Sequence, residues 1–136
     1  MKCLSIQQPW AWAILAKGKN VENRTRPPIK SCYRGPLLIH ASLSRPRRND
    51  ALLKKTYGIQ SPNTLPAGCV VGVVDVVDSM SLGDLFYERP AFLYWAEGPW
   101  CLLLQNPRAL AEPIPWKGRL GSFDVPLTIE ELEFAT

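Results

Sequence analysis

The chain has 136 residues, 46% of them hydrophobic and 21% charged. That length fits one domain over residues 1–136, and that balance excludes an intrinsically disordered chain. The net charge of +4 hides a polarity: residues 1–68 hold 12 Lys and Arg against Glu22 and Asp50, while residues 69–136 hold four against ten acidic residues, which points to a basic surface for an anionic partner, nucleic acid being the commonest.

The 13 prolines predict many short, sharply bounded elements. Lys2–Ile6 reads as a strand. Pro9 stands where proline opens a helix, and Trp10, Ala13 and Ile14 fall at i, i+3 and i+4 of a helix over Trp10–Lys17 that Gly18 stops. Lys19–Thr25 must then be extended, because Pro27 and Pro28 forbid helix. Strict alternation puts Lys19 and Glu22 on opposite faces of that strand, so a bulge or the strand end is needed to bring them together. After a turn at Tyr33–Pro36, residues 36–42 form an apolar strand, and the basic stretch from Ser44 to Gly58 ends in an amphipathic helix. Residues 68–78, dense in valine, form the clearest strand, with Gly72 at a bend or bulge. The period over 82–95 is mixed and fits helix or loop. Trp100–Gln105 reads as a strand ended by Asn106-Pro107, and 119–125 as the last strand. Thr128 with Glu131 caps a short acidic helix. Five to six short strands with two to three helices give an α+β class built on a small, partly closed β-barrel.

Cys3, Cys32, Cys69 and Cys101 contain no C-x-x-C pair and His40 is the only histidine, so no familiar zinc pattern forms and neither metal nor other cofactor is expected. Gln7, Gln8 and Pro9 interrupt the N-terminal run where a signal peptide needs unbroken apolar residues, and no stretch reaches the ~18 apolar residues of a membrane span. A soluble, cytoplasmic protein with reduced thiols and no membrane partner is the expectation.

Six motifs in order resemble the activating signal cointegrator homology (ASCH) domain, a branch of the PUA-like superfamily. They are LSIQQPWA at 4–11, the Lys-x-x-Glu-x-Arg core at Lys19, Glu22 and Arg24, YRGPLLIHAS at 33–42, PAGCVVGVVDVVD at 66–78, QNP at 105–107 and PIPWKG at 113–118. Where the family's core motif begins with glycine, two residues before the lysine, this chain has Lys17 with Gly18 beside it. The resemblance implies a PUA-like barrel with a cleft beside the first helix, floored by the Lys-Glu-Arg motif, in a superfamily that often handles RNA or modified nucleobases. In ASCH-like amidohydrolases that remove the acetyl group from N4-acetylcytidine, a threonine nucleophile holds the place of Glu22. Other ASCH-like proteins are described as ribonucleases, and ASCH-like domains also occur in coregulators, which implies a protein partner.

The candidate catalytic residues are Lys19, Glu22 and Arg24. Two readings stay open: a proton-transfer pair in which buried Lys19 acts as base, or a structural ion pair. In a hydrolase without a metal, Glu22 would activate water while Lys19 or Arg24 stabilises developing negative charge. For binding single-stranded RNA or a modified nucleoside, Arg26, Arg34, Arg45, Arg47 and Arg48 are candidate phosphate contacts. Trp10 and Tyr33 are candidate stacking faces. Ser5, Gln8 and Pro9 flank the first helix, where they present polar groups to a base or cap the helix. Ser42, Asn106 and Lys117 line the cleft or end strands. His40 is either a hydrogen-bonded core residue or a ligand contact, and nothing in the sequence sets a nucleophile beside it.

Overall fold

In the computed structural model, which describes residues 1–136, the apolar N-terminal run forms β1 (Lys2–Ile6). Its alternation divides the interior. Leu4 and Ile6 join a core with Ala11 and Ile14, whereas Cys3 joins a second core with Leu38, Val70, Val73 and Phe123. Helix α1 (Trp10–Ala16) begins after Pro9 at its N-cap, and Gly18 adopts φ +71 just beyond its end, the left-handed conformation that glycine takes without strain. β2 (Val21–Arg24), β3 (Gly35–Ala41) and α2 (Arg47–Tyr57) follow. The α2 face carrying Leu53 packs into a third core with Val21, Met80, Phe92 and Trp95.

The valine-rich segment is β4 (Cys69–Ser81), which runs directly into α3 (Leu82–Glu88); a 3-10 segment (Pro90–Trp95) comes next. The break between them at Arg89 and Pro90 accounts for the mixed period of the sequence. β5 runs from Trp100 to Pro115 and so passes through Asn106-Pro107, where the sequence predicted an end. The reason is local. Pairing steps from Asp75↔Gln105 to Val73↔Arg108, so β5 carries an extra residue there, with Asn106 at φ 53. Pro107 and Pro113 fall in these irregular stretches, where a missing N–H disturbs no ladder. Leu102, Leu103 and Leu104 in its first half are buried, each contributing about 1.5–3 kcal/mol. Beyond β6 (Ser122–Asp124), Thr128 and Glu131 form the expected capping box over a single 3-10 turn, Ile129–Glu131.

All six strands lie in one mixed sheet of order β2-β5-β4-β3-β1-β6, with β1 and β3 the parallel pair. The sheet curls into a half-barrel. Its two edges come together, since the Ser122 N–H donates to the Pro28 carbonyl at 3.1 Å and Arg24 of β2 donates from Nη2 to the Ser5 carbonyl of β1 at 2.8 Å. No helix is long and apolar enough to cross a membrane.

Candidate functional site

Where the curled edges meet, a cleft of about 490 Å³ opens, within the size range of small-molecule sites. Ser5, Ile6 and Gln7 at the end of β1, Glu22 to Arg24 of β2, and Arg119 to Gly121 ahead of β6 line it; Trp10, Asn49, Leu52 and Glu97 complete its walls.

Lys19 and Glu22 do converge, and the physical reason is where the strand begins. β2 starts at Val21, so Lys19 lies outside its alternation. The Lys19 N–H bonds back to the Ala13 carbonyl of α1 at 3.1 Å. Its ammonium donates to the Val21 carbonyl at 2.5 Å and lies 3.6 Å from Glu22 Oε1. The other carboxylate oxygen, Oε2, accepts from Arg24 Nε at 2.8 Å. Lys19 is 5% exposed and Glu22 7%, so this is a buried network of two cations and one anion. Burial pulls the Lys19 pKa below its usual 10.5, with Glu22 and then Glu97 opposing that shift. The same ammonium lies 5.5 Å from the Trp10 ring centroid, a cation–π distance.

Gln7 and Asn49, which the sequence reading passed over, form the cleft's other polar pair. Asn49 Nδ2 donates to Gln7 Oε1 at 3.2 Å and to the Gln8 carbonyl at 3.4 Å. The Gln7 amide N–H₂ and the Asn49 carbonyl oxygen are left as a free donor and acceptor in the cleft wall, the two group types that read the edge of a base. Asn49 did leave a signal in the sequence. It lies one turn before Leu53, as a polar residue on the apolar face of an amphipathic helix. Arg119 left none, since only the curling of the sheet brings its loop to the cleft.

Of the other candidates, Ser5, Trp10 and Ser42 line the cleft. Gln8 does not: its Oε1 accepts the Trp12 N–H at 2.9 Å and its Nε2 donates to the Pro66 carbonyl, capping α1. Pro9 is buried at the start of α1. Tyr33 packs on the core and donates its hydroxyl to the Pro36 carbonyl. Arg34 pairs with Asp78, and Arg45 with Asp50, which holds the Asp50 carboxyl below its usual range. Asn106 bonds Asp75 and lines a separate cavity of about 400 Å³. Arg26, Arg47, Arg48 and Lys117 are exposed.

The structure places a hydroxyl beside His40. The parallel register sets Ser5 opposite it, and Ser5 Oγ lies 3.0 Å from Nδ1. Nε2 lies 2.7 Å from the Trp116 carbonyl. Since a carbonyl only accepts, Nε2 carries a proton, and in the neutral ring Nδ1 then accepts from Ser5. His40 is thus a satisfied buried residue behind the cleft rather than one of its lining groups.

Against known proteins, the sequence profile of the ASCH domain matches residues 4–125. Activating signal cointegrator 1 from Homo sapiens and from Mus musculus is 30% identical over 123 residues in each case, covering 85% of this chain and 21% of the relative. The chain therefore spans about a fifth of the length of these relatives. The crystal structure of ASCH from Zymomonas mobilis is similar at a TM-score of 0.45 and 18% identity, over 84% of this chain and 72% of that one.

Proposed function

This chain belongs to the ASCH domain family, and on that premise we propose that its cleft binds one nucleobase of a single-stranded RNA, or the same base in a modified nucleoside. The observation that carries the reading is the buried Lys19–Glu22–Arg24 network at the floor of a polar cleft large enough for a nucleotide. Trp10 offers a half-buried ring for stacking, and Gln7 with Asn49 offers a donor and an acceptor for the base edge. Arg24 and Arg119 supply positive charge for the adjoining phosphate.

Titration of a nucleoside monophosphate and of a short single-stranded RNA tests this. Gln7→Ala and Arg24→Ala are each expected to weaken both ligands by about five- to tenfold, and the RNA affinity is expected to fall steeply with salt. Affinities unmoved by both substitutions overturn the reading. No binding of either ligand also overturns it and favours a protein-interaction surface.

One observation favours a second reading, hydrolysis of an acylated nucleoside in the same cleft. Burial shifts Lys19 in the direction a general base needs. Against it, both oxygens of Glu22 face cations, and a carboxylate stands where the acetylcytidine amidohydrolases have threonine. Mass spectrometry of an RNA carrying one N4-acetylcytidine decides. Loss of the acetyl group with the wild type but not with Lys19→Ala would establish the enzyme; an unchanged oligomer leaves binding.

A further inference from the structure

His40 has the surroundings of a general base, because its two ring nitrogens meet groups of different kinds. The parallel pairing of β1 with β3 sets Ser5 opposite it. Ser5 Oγ lies 3.0 Å from Nδ1, and the Trp116 carbonyl lies 2.7 Å from Nε2. In the neutral ring the carbonyl holds the proton on Nε2, so the lone pair on Nδ1 faces the Ser5 hydroxyl. A hydroxyl, an imidazole that accepts from it and a third group that orients the imidazole are the parts of an activated serine, here with a main-chain oxygen as the orienting group.

The two residues also differ in exposure in the order this chemistry needs. Ser5 is half-buried and lines the cleft, whereas His40 is 2% exposed and lies behind it. Gly118 bears on the pair independently. Its φ lies outside the left-handed region, so its backbone would accept any L-residue, yet a Cβ there would lie 2.7 Å from His40 Cε1 and 3.2 Å from Ser5 Oγ. Glycine at this position keeps both members uncrowded. Arg24 is held against the same serine: its Nη2 donates to the Ser5 carbonyl at 2.8 Å and its Nε to Glu22, which leaves Nη1 in a cleft-lining residue without a protein partner. A guanidinium placed there stabilises negative charge that develops on a substrate carbonyl oxygen. A bond that only tied β1 to β3 would need neither a hydroxyl in the cleft wall nor a glycine against it.

We propose that Ser5 is a nucleophile in the cleft, with His40 as its base, and that it takes the acyl group of a small ester, whether or not a nucleobase also binds there. Oγ attacks the ester carbonyl carbon while its proton passes to Nδ1. The bond from that carbon to the alcohol oxygen breaks, the proton on Nδ1 goes to the departing oxygen, and an acyl-serine remains. Water then attacks the acyl carbon and gives a proton to Nδ1; the acid leaves as that proton returns to Oγ. Lys19 and Glu22 take no part, so this route is separate from the amide hydrolysis considered above.

Turnover of p-nitrophenyl acetate and labelling by a fluorophosphonate, which forms an Oγ–P bond and expels fluoride, test the proposal together. The wild type is expected to release p-nitrophenolate, to lose that turnover on labelling, and to carry the adduct on the peptide holding Ser5. Ser5→Ala should take no adduct on that peptide and show no turnover above the uncatalysed rate. His40→Gln should slow labelling by about a hundredfold. Gly118→Ala, which crowds the pair and removes neither member, should slow it by about tenfold; circular dichroism establishes the fold of each variant, and Gly118→Ala carries the test of the base if His40→Gln does not fold. No adduct on Ser5, no turnover by the wild type, turnover that survives Ser5→Ala, or labelling as fast in the folded His40 or Gly118 variant overturns the proposal and leaves the Ser5–His40 bond as a tie between two strands. Nucleobase binding is read separately by titration and stands or falls on its own.

Discussion

Lys19 is a charge that the fold holds against its solvation preference. Replacing Glu22 by glutamine keeps the shape of the network but leaves two cations without their shared anion. Removal of one partner from a buried pair costs about 3–5 kcal/mol, less here because Arg24 reaches solvent, so Glu22→Gln is expected to lower the urea midpoint by about 2–3 kcal/mol equivalent. The pH dependence has a definite sign. The Lys19 pKa is lower in the folded state than the 10.5 of the free group, so between those two values the unfolded chain binds more protons. Stability therefore rises with pH through that window. Below it, the full cost of the buried charge is present; above 10.5 it is gone. Lys19→Met is expected to remove that component, flattening the difference in urea midpoint between neutral pH and pH 10 relative to the wild type. A slope unchanged by the substitution would show that Lys19 is not held against its hydration in solution.

Among the elements, α1 and β4 meet at one point of close approach. A Cβ on Gly72 would lie 2.6 Å from Leu15 Cδ2 and 2.7 Å from the Arg108 carbonyl of β5. Leu15 can turn aside, but the β5 backbone cannot move without disturbing its ladder. Gly72→Ala is expected to cost about 1–3 kcal/mol, measured as a loss in the free energy of urea unfolding. The glycine was legible in the sequence as a bend, and a register shift does lie beside it, between Val70 and Gly72; its closeness to α1 was not, because that depends on a contact between distant residues. The same division runs through the fold. β1, α1, α2 and the valine-rich body of β4 follow from periodicity and from the stop signal at Gly18, which are local properties. The second half of β5 was hidden because Pro107 and Pro113 sit in irregular stretches of the pairing, and such a stretch exists only against a partner strand. For the candidate site, the Lys19–Glu22–Arg24 motif was visible as a motif, and the meeting of Lys19 with Glu22 only as a condition on the strand end. Gln7, Asn49 and Arg119 come from three remote segments and no spacing rule joins them.

At the scale of the whole molecule, folding remixes the two halves that differ in sign along the chain. Asp78 and Asp124 from the acidic half pair with Arg34 and Lys2 of the basic half. The exposed cations Arg47, Arg48, Lys54 and Lys55 gather on α2, and Lys117 with Arg119 on the loop before β6. Arg47 and Lys54 lie on the side of α2 away from Leu52, so they act on a polyanion through the field alone. Reversing both to glutamate is expected to slow stopped-flow association of a single-stranded RNA by about tenfold at low salt and to change little near 1 M, where the screening length falls to about 3 Å. A rate indifferent to these charges at low salt would remove steering from the account. The cleft also lies on the open side of the half-barrel, where β2 and the segment after it approach β1 and β6 through the Ser122 to Pro28 and Arg24 to Ser5 hydrogen bonds. A molecule held in the cleft touches residues of both edges at once and acts as a clasp across an incomplete cylinder. Amide hydrogen exchange should then slow at β2 and at 119–124 together when ligand binds, while the Leu102–Leu104 ladder changes least, so that occupancy is recorded in how often the seam opens.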